Sequence, residues 1–220
     1  YEAVDVQDAG ALRALLQRVH EAWGPVTGIV HGAGVLADRK IADKTEEQFT
    51  RVFSTKVGGL GSLLEATVGL PLKVIALFSS VAARTGNPGQ CDYAMANEVL
   101  NRVAHQERAR RPGCLVKSFG WGPWEAGMVT PALKAHFEGL GVSLIPLAGG
   151  AQAFVDEVQR GPEQDVELVL GGASDTRALL GGGARREARA SVLVQRSRWP
   201  MIADHCVRGV PVVPMVLSAE

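Results

Sequence analysis

Excess charge of either sign is missing from this chain. Its 220 residues carry 23 Lys plus Arg and 23 Asp plus Glu, a formal net charge of zero. A broad electrostatic attraction to nucleic acid or to an anionic membrane surface is therefore not encoded. Cysteine is scarce: Cys91, Cys114 and Cys206 are far apart, odd in number and in no CxxC pattern. That excludes a disulfide framework and fits reduced thiols in a cytoplasmic setting. No apolar run approaches the roughly 20 residues of a membrane span, and no secretory signal pattern opens the chain. His20, His105 and His136 fall in helical patterns with no partner at metal-ligand spacing.

What is present is an alternation of strand and helix patterns over the first 170 or so residues. Val4–Val6 reads as a strand end. Asp8 can cap a helix whose Leu12, Leu15, Leu16, Val19 and Trp23 recur at a 3.6-residue period. Gly24-Pro25 ends it, and residues 26–30 form a short buried strand running into HGAG. Thr45 with Gln48 forms a capping box for a helix over about 46–67. Its inner face would hold Phe49, Val52, Phe53, Val57, Leu60, Leu63 and Leu64. A strand over 73–78, a loop RTGNPGQ, a helix over about 92–110 and a strand over 114–119 follow. After them come an irregular WGPWEAGMVTP, helices over 131–140 and 148–160, and a last strand over 166–170. This order predicts an α/β, doubly wound, Rossmann-like parallel sheet covered on both faces. Residues 173–190, with a glycine triplet and an arginine cluster, read as a solvated linker. The remainder, 191–220, reads as a β-rich fragment of something new. The opening YEAVDVQDAG, without a start methionine, reads as an excerpt of a longer polypeptide, so the sheet is expected to be truncated at its N-terminal side.

Chemistry concentrates in four residues. Tyr93 and Asn97 lie four apart in YAMAN and so project from one helix face. Ser80 lies thirteen residues before Tyr93, and Lys56 thirty-seven before it. A tyrosine exchanges protons near neutrality only when something lowers its pKa from about 10, which a nearby ammonium does. A serine hydroxyl can hold a substrate oxygen. Each residue alone has a plainer reading: a strand cap, a half-buried ring, an exposed helix amide, a snorkelling lysine. Together, with HGAG upstream and GNPGQ between Ser80 and Tyr93, they point to an acid held against a carbonyl that is reduced by hydride.

The runs HGAGVLAD, TKVGGL, LFSSVAARTGNPGQCDYAMANEVLN and SFGWGPW resemble the ketoreductase domains of polyketide and polyunsaturated fatty acid synthases, within the short-chain dehydrogenase/reductase superfamily. Ordinary members of that superfamily have Tyr-x-x-x-Lys. The synthase ketoreductases have Tyr-x-x-x-Asn with the lysine on the preceding helix, as here. The resemblance covers residues 1 to about 172. It implies NADPH as cofactor, a β-ketoacyl thioester on an acyl carrier protein as substrate, and neighbouring synthase domains as partners. Tyr93 would donate a proton to the β-keto oxygen and Ser80 would hydrogen-bond it. Lys56 would lower the tyrosine pKa and order the nicotinamide ribose, and Asn97 would support the proton relay. His31, Gly32, Ala33 and Gly34 would pass beside the cofactor, and Asp5 would contact its adenine. Trp121, Gly122, Pro123 and Trp124 would wall the nicotinamide site, with Met128 and the following helix as a mobile lid.

The pattern has departures. The glycine-rich phosphate loop of such folds follows the first strand, and none precedes Asp5. The Leu-Asp-Asp marker of one alcohol configuration reads Leu36, Ala37, Asp38, and Thr85 stands where a tryptophan marks the other; product configuration stays open. A second, shorter resemblance is His-x-x-x-Gly-x-x-x-x-Pro, fulfilled by His205, Gly209 and Pro214. It is similar to the first motif of hot-dog dehydratase domains, whose histidine acts as base. Met215 replaces a frequent glycine, and the partner aspartate would lie beyond Glu220. The expected layout is a ketoreductase over 1–172, a linker over 173–190 and the start of a dehydratase over 191–220. Two rivals remain open at this point: a non-catalytic structural ketoreductase half, and a free-standing short-chain alcohol dehydrogenase.

Overall fold

The structure, a computed structural model, describes residues 1–127, 142–160 and 165–171. It also describes Lys134, Ala135, Phe137 and Gly139, and residues 206–207 and 210–211. Contacts divide the chain into two units, Tyr1–Gly183 and Ala184–Glu220.

In the first unit, helix α1 (Ala9–Trp23) starts where Asp8 accepts the Ala11 N–H and stops at Gly24, whose φ of 89° places it in the region glycine favours. The expected strand end at Val4–Val6 is absent. Those residues lead into a turn closed by Asp8 N–H on the Asp5 carbonyl. The reason is partnership: among the described residues no strand lies beside Val6, and its side chain packs instead on Gly59, where an added Cβ would sit only 2.7 Å from Val6 Cγ1.

Four parallel strands form the sheet in the order β1 (Gly28–His31), β2 (Val74–Ser80), β3 (Leu115–Trp121), β4 (Glu167–Leu170). The register pairs His31 with Leu77, and Ser80 with Trp121. Period-two alternation sends Ile29, Ile75, Leu77 and Val116 to one face, where they pack with Leu60, Leu100 and Ala104. Ala76, Phe119 and Trp121 face the other way and pack with Phe154, Leu168 and Leu170. On this second face Val30 of β1 is 54% exposed. The covering helices are α3 (Gly59–Ala66) and α5 (Cys91–Arg110) on the first face and α6 (Leu147–Gln159) on the second.

The helix expected over 46–67 is present over 46–66, but its middle turn is π rather than α. It is α2 (Glu46–Phe53), a π-helical segment (Ser54–Gly58) and then α3. The expected inner face holds: Val52 and Leu60 are buried, Val57, Leu63 and Leu64 pack on the core, and Phe49 stacks on Phe53. Thr45 and Gln48 form the expected capping box, each side chain accepting the other's backbone N–H. Thr45→Ala is expected to cost about 1 kcal/mol of stability, read by urea denaturation; an unchanged midpoint would show that the box does not hold the helix start. A one-turn helix, α4 (Ala82–Thr85), follows β2. Of the helix expected over 131–140, the four described residues are helical.

In the second unit, β5 (Cys206–Val207) and β6 (Val210–Pro211) pair antiparallel. The linker expected over 173–190, His205 and the rest of 191–220 lie outside the described residues.

Candidate active site

The C-terminal ends of parallel strands are where ligands bind in open α/β sheets, and the singled-out residues gather there. His31 ends β1, Ser80 ends β2 and Trp121 ends β3. Tyr93 is in the first turn of α5, with Asn97 one turn further. Lys56 reaches them from the π-helical segment.

Lys56 is 3% exposed. Its Nζ donates to the Phe78 carbonyl at 2.9 Å and lies 5.5 Å from the Tyr93 ring centroid. Burial lowers its pKa to about 8. The π turn is held from the sheet side by His31, whose Nε2–H donates to the Lys56 carbonyl at 2.9 Å. His31 is buried, and that burial holds its pKa below the ordinary value. Single π turns inside helices recur at functional sites, and this one carries the lysine. The expected role of His31 as a pocket wall is thus joined by a structural one.

Asn97 is fully buried, with Nδ2 donating to the Tyr93 carbonyl at 2.8 Å and its own backbone carbonyl accepting from Ser79 Oγ. Its Oδ1 is buried without a protein partner. Ser80 Oγ accepts the Ala82 N–H at 3.2 Å, which turns the chain into α4. Burial pushes the Tyr93 phenol above its ordinary pKa; the Asn97 and Ser80 side chains pull it back, and Asp38 pushes it up again. This corrects one expectation. Burial outweighs the pull of the Lys56 ammonium, which donates to a carbonyl and is itself weakened by burial. Tyr93 is a firmly protonated acid at neutral pH.

A flat ligand end has room beside HGAG. A Cβ built on Gly32 would meet only Phe78, at 3.8 Å, while one on Gly34 would crowd Lys56 Cε at 3.0 Å. The exposed Gly32, the half-buried Ala33 and Gly34, the orphaned Asn97 Oδ1 and the orphaned Trp121 Nε1 suit the nicotinamide end of a dinucleotide. Asp5 is exposed, with Oδ1 accepting the Gln7 N–H. Gly122 is buried, with its N–H on the Leu170 carbonyl, and the Pro123 carbonyl accepts from Ile145. Trp121 stacks on Phe119 at 5.5 Å and meets Trp124 at 4.8 Å. A Cβ on Gly150 would overlap the Trp124 ring. Gly150→Ala is therefore expected to displace that ring and cost about 1–3 kcal/mol; urea denaturation followed by indole fluorescence measures it, and an unperturbed midpoint would contradict it. Met128 and His136 lie outside the described residues. His20 and His105 are exposed, and no cluster among the described residues could hold a metal ion.

Two residues escaped the sequence reading. Lys44 and Asp92 form a buried ion pair at 2.7 Å. Nothing in their spacing separates them from ordinary charges beside helix caps.

A family model of the KR domain matches residues 1–126. The chain belongs to the KR domain family. This KR chain is 38% identical over 226 residues to a polyunsaturated fatty acid synthase polypeptide of Thraustochytrium sp., an alignment covering 99% of the chain and 8% of that protein. It is 35% identical over 195 residues to an erythronolide synthase of Saccharopolyspora erythraea, covering 86% of the chain and 5% of that protein. The KR chain thus spans under a tenth of these relatives. Among solved structures, a ketoreductase domain from the bacillaene assembly line superposes with a TM-score of 0.71 at 33% identity, over 80% of this chain and 44% of that one. An alcohol dehydrogenase from the archaeon Thermococcus sibiricus, solved with 5-hydroxy-NADP, shares the fold at 17% identity and a TM-score of 0.65, over 79% of this chain and 74% of that one.

Proposed function

We propose that this KR domain reduces a β-ketoacyl thioester, carried on an acyl carrier protein, to the β-hydroxyacyl thioester with NADPH, inside a polyketide or polyunsaturated fatty acid synthase. The observation that carries the reading is one cluster at the sheet's C-terminal edge: a half-buried, protonated Tyr93 under the Lys56 ammonium, with Ser80 and Asn97 as polar neighbours. The bound dinucleotide would supply the hydride. The chain's residues would do the rest. Ser80 Oγ–H would donate to the keto oxygen and orient it, and Tyr93 Oη–H would give that oxygen its proton as negative charge develops. Lys56 would hold the ribose hydroxyls and steady the phenolate left behind. Asn97 Oδ1, buried without a protein partner, would be the acceptor beside that path. His31, Gly32, Ala33 and Gly34 would lie along the nicotinamide, Trp121, Gly122, Pro123 and Trp124 would wall it, and Met128 would belong to the lid. Asp5, exposed at the loop before α1, would meet the adenine.

The family membership and the synthase relatives support a setting among other synthase domains, and the cytoplasm as its compartment. On this reading 1–172 would be the ketoreductase, 173–190 a linker and 191–220 the start of the next domain. His205 would be that domain's dehydratase histidine, a half-site within this chain. Cofactor titration separates the catalytic reading from a purely structural half: NADPH should bind to a chain that includes the phosphate loop upstream, and no binding would favour the structural half. Turnover of a β-ketoacyl thioester, absent for simple alcohols, would exclude a free-standing alcohol dehydrogenase.

A further inference from the structure

The two elements that carry the proposed chemistry are pinned together at their starts. Lys44 immediately precedes Thr45, the cap of α2, and the helix it opens runs on to Lys56. Asp92 is the second residue of α5, next to Tyr93. Lys44 Nζ meets Asp92 Oδ2 at 2.7 Å, and the two side chains are only 4% and 1% exposed. Each partner has a second fixed bond: Lys44 Nζ donates to the Ala37 carbonyl at 2.9 Å, and Asp92 Oδ1 accepts the Tyr93 N–H at 2.9 Å. Outside the pair, Arg39 N–H on the Gly89 carbonyl and Gln90 Nε2 on Asp38 Oδ2 join the same two loops.

Resting on the ketoreductase reading above, we infer that Lys44 and Asp92 are positioning residues, a buried ionic staple that sets Tyr93 against Lys56. Taking two charges out of water carries a large desolvation cost, and apolar replacements of such pairs are often neutral or stabilising. Stability alone therefore gives no reason for the pair to be charged. Direction does. An ammonium and a carboxylate with two bonded partners each fix the N-termini of two helices in register, which an apolar contact does not. The 5.5 Å separation of Lys56 Nζ from the Tyr93 ring depends on that register, and so does the height of the phenol above the sheet edge. The Asp92 carboxylate also sits in the first turn of α5, where the helix dipole favours it.

Three variants test this in a chain extended upstream through the phosphate loop: Asp92→Asn, Lys44→Arg, and the double variant Lys44→Met with Asp92→Leu. Asp92→Asn leaves the Lys44 charge buried and unpaired, so it can fail to fold; the apolar double variant removes both charges and decides the matter. It is expected to melt no lower than the parent, with kcat for β-ketoacyl thioester reduction lowered about 10- to 100-fold, the loss typical of roughly ångström misplacement. KM for NADPH should stay within about twofold, since the staple does not touch the cofactor, and Lys44→Arg should recover most of the rate. A folded double variant that turns over at the parent's kcat overturns the inference. A second readout is independent of activity. It uses the 220-residue chain itself, which has two tyrosines, so fluorotyrosine labelling in a Tyr1→Phe background reports Tyr93 alone. Its resonance should move in the double variant; an unmoved resonance overturns the staple even if the parent proves unable to reduce any β-ketoacyl thioester, a result that would sink the ketoreductase reading instead.

Discussion

Tyr93→Phe is expected to lower kcat for β-ketoacyl reduction by about a hundred- to ten-thousand-fold, the usual contribution of a positioned general acid. The substitution removes one oxygen from a ring that is otherwise packed by burial and by the Lys56 ammonium above it. Packing is conserved, so the fold and cofactor binding should be retained. The raised pKa of the phenol sharpens the expectation. At neutral pH Tyr93 holds its proton fully, so the parent has an acid ready in every molecule, and the variant has none within reach. Ser80 cannot replace it, because a serine hydroxyl gives up a proton far less readily than a phenol. The kinetic signature is a fall in kcat and in kcat/KM together with little change in KM, the pattern of an interaction made in the transition state. A variant that keeps the parent's kcat would remove Tyr93 from the chemistry.

Lys56→Met should do two opposite things. Activity is expected to drop at least about a hundredfold, because the proposed ribose clamp and the cation beside the phenol would go together. Stability at pH 7 is expected to rise. The folded pKa of Lys56, about 8, lies below the unfolded value of 10.5. Below pH 8 the native state therefore holds a buried charged amine, at a cost of roughly 3 kcal/mol by the pKa difference. As pH climbs from about 8 to 10.5 the unfolded chain still binds that proton while the folded one does not, so the parent gains stability steadily through that window and the cost is fully gone above it. Losing the donor to the Phe78 carbonyl gives back about 1–2 kcal/mol. The net expectation is a Met variant more stable than the parent by about 1–2 kcal/mol at pH 7, an advantage that changes with pH across the window ending near 10.5. Urea denaturation at the two pH values measures it. A variant less stable at pH 7, or a gap that does not depend on pH, would show that burial does not strain this lysine.

Those two residues illustrate what the sequence carried and what it did not. Tyr93, Asn97 and Ser80 were legible because helix period and strand end translate directly into position, and the Thr45–Gln48 box and the Asp8 cap read out as hydrogen bonds. Lys56 was legible as a member of the set, but its π turn was not: the apolar pattern from Phe49 to Leu64 fits an unbroken helix equally well. The wide turn arises from tertiary contacts, the His31 ring on the Lys56 carbonyl and Val6 against Gly59, between residues too far apart in sequence to announce themselves. Val4–Val6 failed for the converse reason, since β-propensity without a neighbouring strand forms no sheet. The Lys44–Asp92 pair was invisible because two charges beside helix starts look solvated until the fold buries them. The expected tyrosine shift was wrong in sign, because proximity of a cation was legible and the burial of both partners was not.

The most direct test of the proposed chemistry is product analysis with the chain extended upstream through the phosphate loop, supplied with NADPH and a β-ketoacyl thioester on its acyl carrier protein. One β-hydroxyacyl thioester should form for each NADPH oxidised, and essentially none from Tyr93→Phe measured alongside. Tight NADPH binding with no β-hydroxyacyl product from the parent would contradict it.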